Sequence, residues 1–560
     1  MIGGSAQWHP VIPLLLAALA MPLLGIAGRR AAGLTGSVLA LVLLAGLPAD
    51  VRHTVSLLGQ DLTVLRADAL GRVFAMAFAI YAVIATVYAW SETGAAARAF
   101  SMSLAAGGIG VALAGDWLTL FLFWEMLTIS SLFLIWQGGT KASLAAGIRY
   151  LLLHLAGGTC LLVGILLQWK ATGSLEFNGL ALQGLGPWLM LVGMLTNAAV
   201  PPLHAWLPDA YPRATVFGTV FLCAFTTKSA VYVLARAFPG AEPLVWLGAV
   251  MALYGVVFAV LENDIRRLLA YHIISQVGYM VCGVGLGTAL AINGASAHAF
   301  AHIFYKGLLM MSAGAVIYAT GKSKLTELGG LAGPLRLTLV FMLIGAASIS
   351  GVPLFNGFVS KALVVSAAAY EHRAAIEMML LVASMGTFLH TGLKLPWFTF
   401  FDRAKGAAVM RAVPRSMYVA MGAAALICMV TGVFPNLIYA QLPFVMTYAP
   451  YTADHVVGGL QILVGTGLGF WLLRGLLGGE PTRTRDVDLL YRGPVRWIVA
   501  TAGALLERGE EGAGGLVASS LRAGNALRDR APQGAMAVSG LVLATSAALV
   551  VVAALVFSAR

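Results

Sequence analysis

The sequence has few charged residues. Only 10% of its 560 residues are Asp, Glu, Lys or Arg, while 60% are hydrophobic, and the mean hydropathy is +0.88. A water-soluble protein of this length could not bury so much apolar surface. The composition therefore excludes a soluble globular protein and predicts an integral membrane protein.

Cysteine is also scarce. Cys160, Cys223, Cys282 and Cys428 all lie in apolar runs and lack the spacing of metal ligands, which argues against an iron–sulfur cluster or a structural zinc site. No nucleotide or flavin signature is present, since the glycine-rich GGIG lies inside an apolar run. We therefore expect no cofactor and no bound metal, so any redox chemistry would belong to partner subunits.

Apolar runs long enough to cross a bilayer recur along the whole chain. A span needs about 20 mostly apolar residues, and about sixteen such runs are present: 11–28, 31–48, 70–90, 99–115, 117–137, 145–168, 184–207, 214–236, 243–261, 268–288, 293–318, 335–371, 375–400, 415–433, 456–473 and 536–557. The first run is preceded by no Lys or Arg and followed by Arg29 and Arg30, the reverse of a secretory signal. The run 335–371 is predicted to be one helix broken at Pro353.

The net charge of +12 is explained by the way the chain is oriented in the membrane. With sixteen spans and an outer N-terminus, most of the 35 lysines and arginines fall in loops on one side, which the positive-inside rule assigns to the cytoplasm. We therefore predict a multi-pass protein of the cell inner membrane with basic cytoplasmic loops and no nucleic-acid partner.

Two apolar runs contain helix breaks, at 198–202 (AAVPP) and 350–357 (SGVPLFNG). Freed backbone carbonyls at such breaks can solvate an ion or water where lipid cannot. Two breaks with polar residues nearby point to a transport site near the membrane midplane.

Seven ionisable residues lie at predicted membrane depth. They are Glu125, Lys228, His298, His302, Lys306, Lys361 and Lys394. A charged side chain facing lipid costs about 2.5–3.5 kcal/mol on insertion scales, so these groups must face one another, water or a partner subunit. For Lys394, close to the cytoplasmic end of its span, snorkelling towards the membrane surface is an equally good interpretation.

His298, His302 and Lys306 follow one another at intervals of four residues in AHAFAHIFYKGLLMM. This spacing places all three on one face of a helix, about 6 Å apart along its axis. Histidine titrates near neutral pH, and burial makes a lysine easier to deprotonate, so such a row can pass protons.

With these motifs in hand, the chain resembles the antiporter-type membrane subunits of Mrp-type Na+/H+ antiporters, respiratory complex I and membrane-bound hydrogenases. The resemblance covers residues from about 98 to 373. Within the family, the chain is most similar to the Mrp D subunit. Its motifs are FLFWEML, PPLHAWLPDAY, TTKSAVYVLARAF, ENDIRRLLAYHIISQVGYM, HAFAHIFYKGLLM and GVPLFNGFVSKAL.

The resemblance implies an all-α membrane fold of about 14 core transmembrane helices, with two inverted five-helix repeats that each contain a broken helix. About two further C-terminal spans and an amphipathic or linker segment are added to that core. The expected organisation is N-terminal helices at 1–97, a first half at 98–240, a second half at 241–433 and an extension at 434–560, with a surface linker at 475–534 and a last span at 536–557.

The resemblance also implies roles for individual residues. Glu125 matches a glutamate that pairs with a lysine, and Lys228 matches a lysine that some members carry on the eighth helix. The His298–His302–Lys306 row matches the central proton relay, and Lys361 matches the terminal residue on the second broken helix.

One position departs from the family pattern. Asn197 replaces the usual lysine five residues before the PLH proline, which removes the expected partner of Glu125. Either Lys228 takes over this pairing, which we favour, or protons do not enter through this half in the usual way.

The leading functional hypothesis is therefore a proton-conducting subunit of a multisubunit Mrp-type monovalent cation (Na+)/proton antiporter, with other membrane subunits as partners. The first alternative is a proton-pumping subunit of an NADH:quinone oxidoreductase or membrane hydrogenase, an enzyme complex to which this chain would add no catalytic chemistry of its own. The second is a structural paralogue that no longer conducts.

Overall fold

The computed structural model describes residues 8–57, 59–478 and 486. The chain divides into two units at residue 484, and the elements below all belong to the first, 1–484. Apart from residues 475–478 and 486, the predicted surface linker at 475–534 lies outside the described residues, as does the last predicted span, 536–557.

Six helices and a β-hairpin form the N-terminal part of the described chain. They are α1 (Ile12–Ala20), α2 (Ile26–Ala45), β1 (Arg52–Leu57), β2 (Gln60–Arg66), α3 (Ala69–Tyr88), α4 (Ala95–Leu113), α5 (Trp117–Trp136) and α6 (Lys141–Thr172). The antiparallel hairpin was not predicted, because its short strands lie outside the long apolar runs that mark the spans.

The central part contains two interrupted spans. Its helices are α7 (Leu185–Asn197), α8 (Trp206–Ala210), α9 (Val216–Leu222), α10 (Thr226–Ala237), α11 (Glu242–Leu261), α12 (Ile265–Leu286) and α13 (Ala289–Thr320). The interruption between α7 and α8 is the one that the prolines predicted, whereas the interruption between α9 and α10 has no proline and was missed.

The last described part contains the second predicted break. Its helices are α14 (Arg336–Ser350), α15 (Asn356–Tyr370), α16 (Ala374–Thr387), two π-helical segments (Phe388–Lys394 and Trp397–Phe401), α17 (Arg415–Val433), α18 (Asn436–Tyr439) and α19 (Ala453–Leu473). The break between α14 and α15 surrounds Pro353, as expected.

Twelve helices in the described residues are long and apolar enough to cross a membrane, and shorter apolar helices cover Ile12–Leu23, Leu185–Asn197 and Arg336–Ser350. Each of the first fifteen predicted spans therefore contains an observed helix or a broken pair. Several helices begin with an aspartate cap: Asp116 accepts from the Leu118 and Thr119 N–H groups, and Asp264 accepts from those of Arg266 and Arg267.

The loops form two groups at the two ends of the bundle. One group joins Arg213 to Ser143, Arg266 to Ala214, and Asp264 to Lys324; we call this end the basic side. The other contains the β-hairpin, the Arg52–Glu176 contact and the Arg373–Glu242 contact, and we call it the opposite side. Helices α12 and α13 are almost completely buried between the others, so the face carrying the histidine row lies at the centre of the bundle.

Candidate functional site

The row on α13 is fully buried. His298, His302 and Lys306 are each 0% exposed, and the rings of His298 and His302 lie 6.4 Å apart between centroids. The Lys306 ammonium donates to the carbonyl of Leu269 on α12 at 3.3 Å. Neither ring nitrogen of His302 has a hydrogen-bond partner among the described residues. The row is therefore shielded from lipid, with polar contacts at its two ends and none at its middle residue.

Tyr305 and Gln276 extend this row sideways. The Tyr305 hydroxyl lies 3.3 Å from His298 Nε2 and 3.3 Å from Gln276 Oε1. Gln276 Nε2 in turn donates to Thr387 Oγ1 at 3.2 Å. Sequence reasoning missed both residues because tyrosine and glutamine carry no charge at neutral pH.

Helix α15 connects the row to Lys361. His298 Nδ1 lies 3.1 Å from Ser360 Oγ, the residue directly before Lys361. The Lys361 ammonium donates to the carbonyl of Ile349 at 3.0 Å and contacts Ser384 Oγ at 3.4 Å. Ile349 is near the end of α14, where carbonyls have no partner within the helix, so the break supplies the acceptor for Lys361.

Lys361 also borders a cavity of about 400 Å³ between α15, α16 and α19. The side chains that line its outer part include Tyr370, Glu377, Asp454 and His455, which belong to helix ends on the opposite side of the bundle. The broken helix thus leads from the buried row to a space near the opposite surface.

Lys228 lies at the beginning of α10 and is fully buried. Its ammonium donates to the carbonyl of Cys223 at 2.7 Å and to Thr227 Oγ1 at 3.1 Å. Cys223 belongs to the short interruption between α9 and α10. The missed helix break therefore supplies the acceptor that a buried ammonium requires.

The structure does not bring Glu125 and Lys228 into an ion pair. Glu125 Oε1 has no hydrogen-bond partner among the described residues, and it packs so closely against α6 that a Cβ on Gly158 would overlap with it. The Lys228 ammonium donates to the Cys223 carbonyl and to Thr227 Oγ1, and Glu125 is not among these partners. Our preferred expectation, that Lys228 replaces the missing lysine, is therefore not met in this conformation.

Neutral hydroxyl groups lie between these two charged residues. Tyr150 is close to both Glu125 and Ser131, and Ser131 Oγ lies 3.4 Å from Thr226 Oγ1, two residues before Lys228. Such hydroxyls can both donate and accept a hydrogen bond, but the Tyr150 hydroxyl has no hydrogen-bond partner among the described residues, so these groups do not form a continuous hydrogen-bonded chain from Glu125 to Lys228.

The two peripheral positions are also buried. Asn197, at the end of α7, is 2% exposed, and its Nδ2 has no partner among the described residues. Lys394 is 1% exposed and donates to the carbonyls of Val260 and Glu262 at 2.5 and 3.2 Å. Lys394 thus ends at backbone carbonyls inside the protein.

The central ionisable residues lie near one another. Electrostatic interactions join His302 to Lys228, Lys306 and His298, and join His298 to Lys361. The structure thus brings five of the six predicted proton-path residues into one buried group, with Glu125 outside it. No cluster of three His, Cys, Asp or Glu side chains in the described residues could hold a metal ion.

Residues 114–389 match the family model described as "NADH:quinone oxidoreductase/Mrp antiporter, TM". An uncharacterized protein of Methanocaldococcus jannaschii is 30% identical over 59% of this chain and 72% of its own length. The chain belongs to this family. The matched region includes the whole group from Glu125 to Lys361.

Two further relatives show the range of the family. The D protein of the Na+/H+ antiporter of Alkalihalophilus pseudofirmus is 32% identical, over 55% of this chain and 66% of the relative. Hydrogenase-4 component B of Escherichia coli is 28% identical, over 72% of this chain and 67% of the relative.

The fold is shared with subunits of solved membrane complexes. A chain of the Mrp complex from Dietzia sp. superimposes with a TM-score of 0.68 at 22% identity, covering 81% of this chain and 98% of that chain. A chain of an archaeal membrane-bound sulfane sulfur reductase superimposes with a TM-score of 0.72 at 23% identity, covering 93% of this chain and 98% of that chain. At these identities the likeness supports the fold alone.

Proposed function

We propose that this chain is the proton-conducting subunit of a multisubunit Mrp-type antiporter that exchanges a monovalent cation, such as Na+, for protons across the cell inner membrane. The observation that carries the proposal is the buried group of Lys228, Lys306, His302, His298 and Lys361, in which the three α13 residues follow one another along one helix face in the middle of the bundle. Lysine and histidine can each take up and release a proton, and their close spacing lets protonation of one disfavour protonation of the next.

Lys361 is the terminal group of this path. Ser360, the residue directly before Lys361, contacts His298, and the cavity beside Lys361 leads towards the opposite side. At the other end, Thr226, two residues before Lys228, contacts Ser131 on α5, the helix that also carries Glu125. Deprotonation of Lys361 into the cavity would draw the next proton along the row.

Lys306→Ala tests the proposal. The whole complex would be expressed in inverted vesicles with an imposed pH gradient, and Na+-induced fluorescence dequenching would be measured. We expect the variant to lose roughly a hundred-fold in initial rate, because a positioned proton carrier contributes about 10²–10⁴-fold. Lys322→Ala is the matched control, since Lys322 is half-exposed on the basic side and should retain the wild-type rate. A Lys306→Ala variant as active as wild type would show that the row is structural.

A second candidate function is a redox-driven pump. It is favoured by the similarity to hydrogenase-4 component B, which covers more of this chain than the similarity to the antiporter D protein. In the same vesicles, an electron donor would then acidify the lumen, and Na+ would cause no dequenching in the wild type.

A further inference from the structure

A second group of titratable side chains lies beside the proposed path, towards the basic side. It consists of His272 on α12, and His390 and Lys394 in the π-helical segment that follows α16. We call these three residues the branch cluster. Neither histidine has a part in the path described above.

The two histidines lack well-formed hydrogen bonds. His272 and His390 are each 0% exposed, and none of their four ring nitrogens meets hydrogen-bond geometry with a partner within the residues that the structure describes, although the Leu389 carbonyl lies near the His390 ring. Buried polar groups are nearly always hydrogen-bonded. Two adjacent histidines without well-formed hydrogen bonds are therefore unfavourable as mere core packing, and they suit a passage that holds water or a moving proton.

The branch cluster adjoins the central row. Electrostatic interactions join His272 to Lys306 and to His390, and join His302 to His272. The rings of His272 and His390 lie 6.3 Å apart between centroids, a separation that one water molecule can bridge. The Lys306 ammonium donates to the carbonyl of Leu269, which lies three residues before His272 on α12.

The branch cluster also reaches the basic side. Lys394 follows His390 by four residues, close to one turn of a π-helix, so both side chains project from a similar face. The Lys394 ammonium donates to the carbonyls at the end of α11, Val260 and Glu262. The Glu262 carboxylate forms an ion pair of 2.8 Å with Arg267, whose side chain is 29% exposed.

We propose that His272, His390 and Lys394 form a proton passage between Lys306 and the basic side of the membrane. This inference rests on the proposed function, because it supplies the row on α13 with a second entrance. In each step a proton moves from one nitrogen to the next while the donor takes up another, so no net charge accumulates. The π-helical segment is an element of the passage, since it brings His390 and Lys394 onto one face.

Cysteine accessibility tests the passage without measuring transport. His390→Cys would be made in a chain whose four native cysteines are replaced by serine, and the whole complex would be treated with a small hydrophilic thiol reagent. We expect labelling from the basic side in inverted vesicles and at least ten-fold slower labelling from the opposite side in right-side-out vesicles, because the thiolate must meet water to react.

Ala383→Cys is the matched control, because Ala383 lies on α16 within an apolar cluster and is 0% exposed. It should remain unlabelled from both sides. Labelling of His390→Cys as slow as that of the control, or faster from the opposite side, would overturn the proposal.

Transport measurements distinguish failure of the passage from failure of the proposed function. His390→Phe is expected to lower the initial rate of Na+-induced dequenching roughly ten-fold, whereas Lys322→Ala, the half-exposed control on the basic side, should leave it unchanged. If Lys306→Ala abolishes transport while His390→Phe does not lower it, the passage is refuted and the proposed function stands. If the wild type itself shows no antiport, the proposed function fails, and the labelling result alone decides whether the passage exists.

Discussion

Single polar residues outside the membrane fix the ends of the buried helices. Asp68 caps α3 by accepting from the Gly71 N–H at 2.9 Å, and it forms a two-pronged ion pair with Arg236 on α10 at 2.6 and 2.7 Å. Burial alone would raise the pKa of Asp68, but the hydrogen bonds and charge of Arg236 outweigh it, so the pKa lies below its ordinary value of 3.8. The ionised carboxylate thus ties α3 to α10.

Asp68→Asn should destabilise the protein near neutral pH. Breaking a largely buried ion pair costs about 3–5 kcal/mol, which would appear as a lower midpoint of thermal unfolding in detergent. Because the folded pKa is depressed, the carboxylate stabilises the protein above pH 3.8 and loses that effect as the pH falls through the folded pKa. The difference in unfolding midpoint between wild type and Asp68→Asn should therefore be largest near pH 7 and decrease below about pH 4.

Glu176→Gln serves as the comparison for this effect. Its ion pair with Arg52 is exposed, and exposed pairs contribute about 0–1 kcal/mol. An equal loss in both variants, or a loss in Asp68→Asn that does not vary with pH, would contradict the role assigned to Asp68.

The sequence revealed only some of the buried histidines of the site. His298 and His302 were found because their spacing repeats along one helix. His272 and His390 were missed because they lie on two different helices that only the fold brings together. Counting all histidines inside predicted spans would have found them.

At the scale of elements, helix breaks supply the acceptors for buried lysines. The break after α14 serves Lys361 through the Ile349 carbonyl, and the break after α9 serves Lys228 through the Cys223 carbonyl. The break between α14 and α15 includes Leu354 at φ 73°, a left-handed backbone conformation that is unfavourable for a leucine.

Leu354→Gly should therefore stabilise the fold by about 1 kcal/mol, because glycine adopts this conformation without strain. Leu354 is largely exposed, so little packing would be lost. Leu343→Gly, at a similarly exposed position inside α14, should instead destabilise by about 1 kcal/mol. Thermal unfolding of both variants in detergent measures the sign, and a destabilised Leu354→Gly would disprove strain at this break.

At the scale of the whole molecule, α19 adds a wall to the site beyond the family-matched region, which ends at 389. Gly458 and Gly459 of α19 line the cavity next to Lys361 together with residues of α15 and α16. A helix outside the matched region thus shapes the space through which Lys361 meets the opposite side.

Gly458→Trp should narrow this cavity, because a Cβ at Gly458 meets open space. We expect the initial rate of Na+-induced dequenching to fall roughly ten-fold, since the terminal proton carrier would lose its access to water. Gly465→Trp is the control: its Cβ also meets open space, but it lies two turns further along α19 and does not line the cavity. Equal rates in wild type and Gly458→Trp would show that protons leave Lys361 by another route.

The sequence by itself determined the membrane class, the positions of fifteen apolar helices or broken helix pairs within the described residues, both proline-marked breaks and the face of α13 that carries the row. These follow from apolar run length, proline chemistry and helical periodicity, which are local properties of the chain. The tertiary structure decided the partner of Lys228, the isolation of Glu125, the meeting of His272 with His390 and the cavity beside α19. Each of these depends on distances between helices far apart in the chain, and no local pattern encodes such distances.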